Sequence, residues 1–249
     1  KNHRVYDVIE GKSEALIGAR IRSYPDRMRV KVVCMDLSSP YRSLVQRCFP
    51  NAKIVADRFH VIKLVLSTFM EFCREMQPEI RWKRHITGSL RTHNANLTSV
   101  QRATLKEFLA ANPIIESAYN FKEKLCKLLN NKKKTKIQCI PLIRELKKCM
   151  DQMRTEATRH FHSLADTLSK WFEPIIRMWR FSKNNGITEG FHRKIKGIQR
   201  RGYGYRNFQN YKLRVLVAFR YKVWACPIPA VENGGVFGIR ERKKYSIAQ

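Results

Sequence analysis

Two short apolar runs constrain this chain most. VKVVCM (Val30 to Met35) and AKIVA (Ala52 to Ala56) are each followed at once by an aspartate, Asp36 and Asp57. Runs this short and this apolar read as strands buried on both faces, as in a parallel or mixed sheet. Between them lies SSPYRSLVQRCF, which opens on Ser and Pro and carries Leu44, Val45 and Cys48 at helical spacing. Upstream, RVYDVIEG alternates and ends at Gly11, a further strand, and SEALIGARI follows with Ser13 as an N-cap. The order strand, helix, strand, helix, strand defines an α/β protein. In open α/β sheets ligands collect at the C-terminal ends of the strands, where Asp36 and Asp57 both fall. The plainer reading is that each acid caps a helix, Asp57 ahead of RFHVIKLVLSTFMEFCREM.

From about Arg58 to Arg180 the pattern is helical throughout, with Leu105, Phe108, Leu109 and later Leu125, Leu128, Leu129 at 3.6-type spacing. Breaks fall at Pro78, THNANLT, Asn112-Pro113 and NNKKKTK, whose lysine run reads as a solvated loop. No repeat emerges. From Pro227 onward Pro, Gly and charge are mixed, a weakly anchored tail. The chain opens on Lys1, directly in a strand pattern, and reads as a fragment.

Charge sets the partner. Fifty Lys and Arg stand against 20 Asp and Glu, a formal net charge of +30. Such an excess opposes compaction unless a polyanion offsets it, and nucleic acid is the expected partner. Neither a membrane nor a signal peptide is expected, since no apolar run approaches the roughly 20 residues of a spanning helix. The cysteines (Cys34, Cys48, Cys73, Cys126, Cys139, Cys149, Cys226) form no CxxC pair, and the histidines show no zinc spacing. That argues against a disulfide framework and for small core residues in a reducing cytoplasm.

The basic segment SKNNGITEGFHRKIKGIQRR holds a single acid, Glu189. On a helix begun near Asn185, Glu189, His192, Arg193, Lys196 and Arg200 share a stripe roughly 100° wide. Phe191, Ile195 and Ile198 fall opposite. As a structural feature, Glu189 is a first-turn acid with an i,i+4 partner in Arg193. That leaves unexplained a carboxylate inside a phosphate-facing stripe, which repels the ligand unless a divalent cation lies between them. The next stretch interleaves Tyr203, Tyr205, Phe208 and Tyr211 with Arg200, Arg201, Arg206, Lys212 and Arg214. Aromatic and arginine together suit nucleic acid. Equally, it reads as a Gly-Tyr-Gly-Tyr surface turn before a core helix using Phe208, Tyr211, Val215 and Phe219.

VKVVCMDLSSPYRSLVQRCFPNAKIVADRFHVIK and, far downstream, SKNNGITEGFHRKIKGIQRRGYGYRNFQNYKLRV resemble the DDE transposases of bacterial insertion sequences, in particular their ISL-three-like subgroup. HRVYDVIEGKS resembles the third strand of that catalytic domain, and the resemblance runs from Lys1 to about Tyr221. It implies a ribonuclease-H-like mixed sheet, truncated at its N-terminus, with a large all-α insertion. On that template residues 1–60 are the N-terminal part of the core and 61–180 the helical insertion. Residues 181–226 are the acidic and basic helices that complete the core, and 227–249 a tail.

The resemblance also implies a chemistry: three carboxylates and two Mg²⁺ (or Mn²⁺) ions acting on DNA. Asp36 matches the second carboxylate and Glu189, in TEG, the third, both as catalytic and metal-holding residues. Asp57 and His60, in DRFH, match a motif that supports the site. The first carboxylate belongs on a strand ahead of HRVYDVIEG, and Asp7 lies on the strand after it. The family's N-terminal DNA-binding region, often zinc-binding, also lies outside the matched motifs. Arg193, Lys196, Arg200, Arg201 and Arg206 become the phosphate-gripping residues. The expected reaction is strand cleavage and transfer of transposon ends into target DNA, by a homodimer on paired ends, in the nucleoid-associated cytoplasm. A catalytically inactive, DNA-binding remnant of such an enzyme, or an unrelated basic helical nucleic-acid-binding protein, are the alternatives.

Overall fold

The structure, a computed structural model, describes residues 5, 7–11, 13–155, 158–181, 186–220 and 246–248. The chain runs β1 (Asp7–Ile9), α1 (Glu14–Arg22), β2 (Val32–Met35), α2 (Ser39–Cys48) and β3 (Lys53–Ala56). A helical series follows: α3 (Arg58–Met76), α4 (Arg84–Arg91), α5 (Ser99–Ala110), α6 (Pro113–Leu129), α7 (Lys136–Thr155), α8 (Arg159–Lys170) and α9 (Phe172–Arg177). Last come α10 (Gly186–Arg201), α11 (Phe208–Arg220) and β4 (Ser246–Ala248). The result is a mixed α/β protein, mostly helical, with a small parallel sheet. Two compact units are defined, one of residues 1–30, 43–51 and 184–249, the other of 31–42 and 52–183.

In the first unit β1 pairs antiparallel with β4, Val8 opposite Ile247. All three β1 side chains are buried, because the strand has a core on each face. Val8 packs with Val5, Ile195, Tyr211 and Val215. Ile9, pointing the other way, packs with Ile17, Ile21, Leu44 and Cys48. The Ser13 hydroxyl caps α1 by accepting the Leu16 N–H at 3.2 Å.

The second unit is built on β2 and β3, which run parallel with Met35 opposite Ala56. The two strands are stitched past their ends by Lys53 N–H donating to Lys31 O (2.9 Å) and Asp57 N–H to Met35 O (2.7 Å). β3 is covered, whereas β2 is half-buried and its Cys34 exposed, against the sequence expectation of a strand buried on both faces. The reason is that β2 has one strand neighbour among the described residues. The helical series packs around Phe69, Leu90, Leu125, Leu129, Leu146, Leu168, Trp171 and Trp179, all at most 2 % exposed. Each apolar side chain of this kind contributes about 1.5–3 kcal/mol on burial.

Helix boundaries follow local signals. Thr98 and Gln101 close a capping box at the start of α5, and Pro113 opens α6, where its missing N–H has no helical partner to lose. Five of the six described cysteines are buried thiols, as core residues of this size should be. Among the described residues no helix is long and apolar enough to cross a membrane.

Candidate active site

The parallel register puts two carboxylates side by side. Since Met35 lies opposite Ala56, the next residues, Asp36 and Asp57, leave the same C-terminal edge of the β2–β3 pair. Asp57 is also the N-cap of α3, and its Oδ1 accepts the Phe59 N–H at 2.8 Å. The capping turn brings His60, one turn into α3, back over the strand ends. Its Nδ1 lies 2.8 Å from Asp57 Oδ2 and 2.8 Å from Asp36 Oδ1. The Asp57 side chain is 9 % exposed, that of Asp36 60 %. One member is thus anchored in the fold and the other faces solvent.

A nitrogen shared by two carboxylate oxygens acts as a donor, so Nδ1 carries the proton in this arrangement. Asp36, Asp57 and His60 each offer one ligand atom, and these atoms lie within 4.8 Å of one another. Two carboxylates and an imidazole form a donor set that fits a divalent cation.

Arg58, between Asp57 and His60, has a different task. Its guanidinium donates to the carbonyls of Leu129 (3.3 Å), Asn131 (2.8 Å) and Met178 (2.7 Å), tying the start of α3 to the ends of the helical series. In a chain this basic, nothing in the sequence sets Arg58 apart from an arginine that meets phosphate. By contrast, the i,i+3 spacing of Asp57 and His60 at a helix start was a readable sign that the two side chains meet.

The other expected residues lie in the first unit. Glu189 belongs to the first turn of α10, and its side chain and that of His192 lie outside the described residues. Arg193, Lys196, Arg200 and Arg201 are exposed on α10, and Arg206 is exposed in the turn beyond it. Ile195 is buried, with Phe191 and Ile198 packed against the same core, so the helix is amphipathic as its spacing predicts. In α11, Tyr211 and Val215 are buried, with Phe208 and Phe219 beside them.

Asp7 is held entirely by this chain's own donors. Its Oδ2 accepts from Arg20 Nε (2.7 Å) and the Tyr24 hydroxyl (2.5 Å). Its Oδ1 accepts from Lys212 Nζ (2.5 Å) and the Val8 N–H (2.8 Å). Burial pushes this carboxyl up, but the hydrogen bonds from Lys212, Tyr24 and Arg20 outweigh it and hold the group well below the usual carboxylate range.

A mixed α/β chain with a carboxylate–histidine cluster at the ends of parallel strands does not define a function by form alone. Comparison of sequences narrows it. A family model described as transposase matches residues 1–215, and the chain belongs to that family, the ISL-three-like DDE transposases. It is similar to the transposase for insertion sequence element IS1001 of Bordetella parapertussis, 25 % identical over 199 residues. That match covers 77 % of this chain and 48 % of the relative, so the chain spans about half the length of the curated relative it matches. No solved structure matches.

Proposed function

We propose that this chain is part of a transposase catalytic domain that performs metal-dependent DNA strand cleavage and transfer during movement of an insertion sequence. One observation carries the reading: Asp36 and Asp57 leave adjacent parallel strands at the same edge and converge on His60 Nδ1. Membership of the transposase family supports it. So does the row of exposed cations on α10, since a net charge of +30 favours a polyanionic substrate.

On this reading the core is ribonuclease-H-like, formed from residues 1–60 and 181–226, with 61–180 as its helical insertion and 227–249 as a tail. Asp36 and Glu189 are the metal-holding catalytic carboxylates. Two Mg²⁺ or Mn²⁺ ions, when bound, supply charge stabilisation at the attacking and leaving oxygens of the scissile phosphate. Asp57, fixed by its capping bond, holds the His60 ring, and His60 holds Asp36 by the proton at Nδ1. The histidine thus keeps the Asp36 carboxylate positioned at the strand end, where it would hold a bound cation. Arg193, Lys196, Arg200, Arg201 and Arg206 grip phosphates flanking the cleaved bond, positioning the strand without reading its sequence. The protein works as a homodimer on paired transposon ends, in the cytoplasm at the nucleoid.

The test uses the transposase as its element encodes it. Asp36→Asn and Glu189→Gln should each abolish Mg²⁺-dependent strand transfer in a gel assay while leaving DNA binding intact. Unchanged transfer in either variant would sink that residue's role. Binding without transfer in the unaltered protein would identify a DNA-binding remnant instead.

A further inference from the structure

The turn between α10 and α11 presents an aromatic ring in a way the core does not require. Tyr203 is 100 % exposed at its tip. Its backbone lies in the left-handed region at φ 47°, as does that of Gly204 at φ 93°. That conformation is natural for glycine and disfavoured for tyrosine. Glycines stand on both sides of Tyr203, so the ring occupies the one tip position of Gly202-Tyr203-Gly204 that carries a side chain.

The turn beneath it is firmly held. Gly202 N–H donates to Ile198 O (3.1 Å), Tyr203 N–H to Arg200 O (3.2 Å) and Gly204 N–H to Gln199 O (3.4 Å). Tyr205 folds back under Gly202, where an added Cβ would come within 2.6 Å of its ring. Its hydroxyl donates to Ile198 O at 3.3 Å, and its ring lies 5.2 Å from that of Tyr211, itself 1 % exposed. Tyr205 is thus the anchor and Tyr203 the ring held out to solvent. Arg200 and Arg201 immediately precede this turn and Arg206 follows it, all three exposed.

We infer that Tyr203 is a stacking platform for an unpaired DNA base, with Arg200, Arg201 and Arg206 holding the adjoining phosphates. The inference rests on the DNA-directed function proposed above and names the part of the substrate this turn meets. A flat ring on a narrow tip stacks on a base that has left its duplex, whereas base pairs inside a duplex have both faces covered by their neighbours. The surrounding positive charge fits the backbone on either side of that base. Stacking is indifferent to base identity, so the contact selects for an unpaired end rather than for a sequence.

The probe is a two-stranded linear duplex with a short single-stranded overhang carrying 2-aminopurine, compared with the same duplex blunt-ended. The unaltered chain should bind the overhang more tightly and quench its fluorescence. Tyr203→Ala should weaken overhang binding about 5- to 100-fold and abolish quenching, with blunt-duplex affinity unchanged. Tyr203→Gly, which relieves the left-handed backbone, should lose the same preference, and Tyr203→Phe should keep it. Equal loss on both probes, loss in Tyr203→Ala but not Tyr203→Gly, or no loss at all would overturn the platform. A chain that binds neither probe at low salt would instead overturn the proposed function itself.

Discussion

Two buried aspartates in this chain show how neighbours decide a carboxylate's task. Asp57 has a capping N–H on one oxygen and a histidine on the other, and the partner across that histidine, Asp36, reaches solvent. Asp7 meets Lys212, Tyr24, Arg20 and the Val8 N–H, so both its oxygens are occupied and it acts as a structural knot joining β1, α1 and α11. Asp7→Asn should therefore destabilise the fold at pH 7, near the lower end of the ~3–5 kcal/mol for breaking a buried pair. The lower end applies because the Arg20 side chain is 49 % and that of Lys212 20 % exposed, so both keep some hydration. The folded carboxyl is held below its unfolded value, so its contribution is whole above about pH 4 and shrinks as pH falls toward the folded value. Urea unfolding should show the gap between variant and parent narrowing from pH 6 to pH 3, and a constant gap would refute the knot. At this scale Asp36 and Asp57 were legible because strand ends are readable from short apolar runs. The bonds of Arg58 were not, since its three carbonyl partners lie in distant helices.

Elements were legible where their signals are local. The breaks near Pro78, Thr98 and Pro113 separate helices as the residues dictate, because caps and prolines act within one turn. The half-covered state of β2 and the pairing of β1 with β4 were not, because both depend on which distant segment arrives alongside. α10 lies between these cases. Its apolar seam of Phe191, Ile195 and Ile198 determines which way the helix faces, and that leaves Arg193, Lys196 and Arg200 outward. A phosphate contact made by such a row is electrostatic and independent of sequence. Lys196→Ala should weaken binding to all duplexes alike and make the dependence of log K on log salt shallower by about 0.9. Titrations at several salt concentrations measure this directly, and a loss confined to one sequence would indicate base reading instead.

For the whole molecule, the charge imbalance is an energetic fact as well as a clue. Even with every acid partnered, as Asp7 is with Arg20 and Lys212, Glu173 with Arg177 and Glu145 with Lys124, a surplus of +30 remains. The remaining cations repel one another in the folded state, and a bound polyanion removes that repulsion while favouring the folded form by mass action. Duplex DNA at 100 times its dissociation constant adds about 2.7 kcal/mol. For a chain of this size that corresponds to a rise in Tm of about 5–10 °C. The rise should fade as salt is raised from 0.05 to 0.5 M, values chosen to span roughly a threefold change in Debye length. It should persist in Asp36→Asn, because removing a carboxylate from the strand ends takes nothing from the cations that bind phosphate. Thermal melts with DNA, and with a neutral polymer at equal mass, decide the matter. An equal shift with the neutral polymer, or none with DNA, would mean that the surplus charge has a purpose other than holding a nucleic acid.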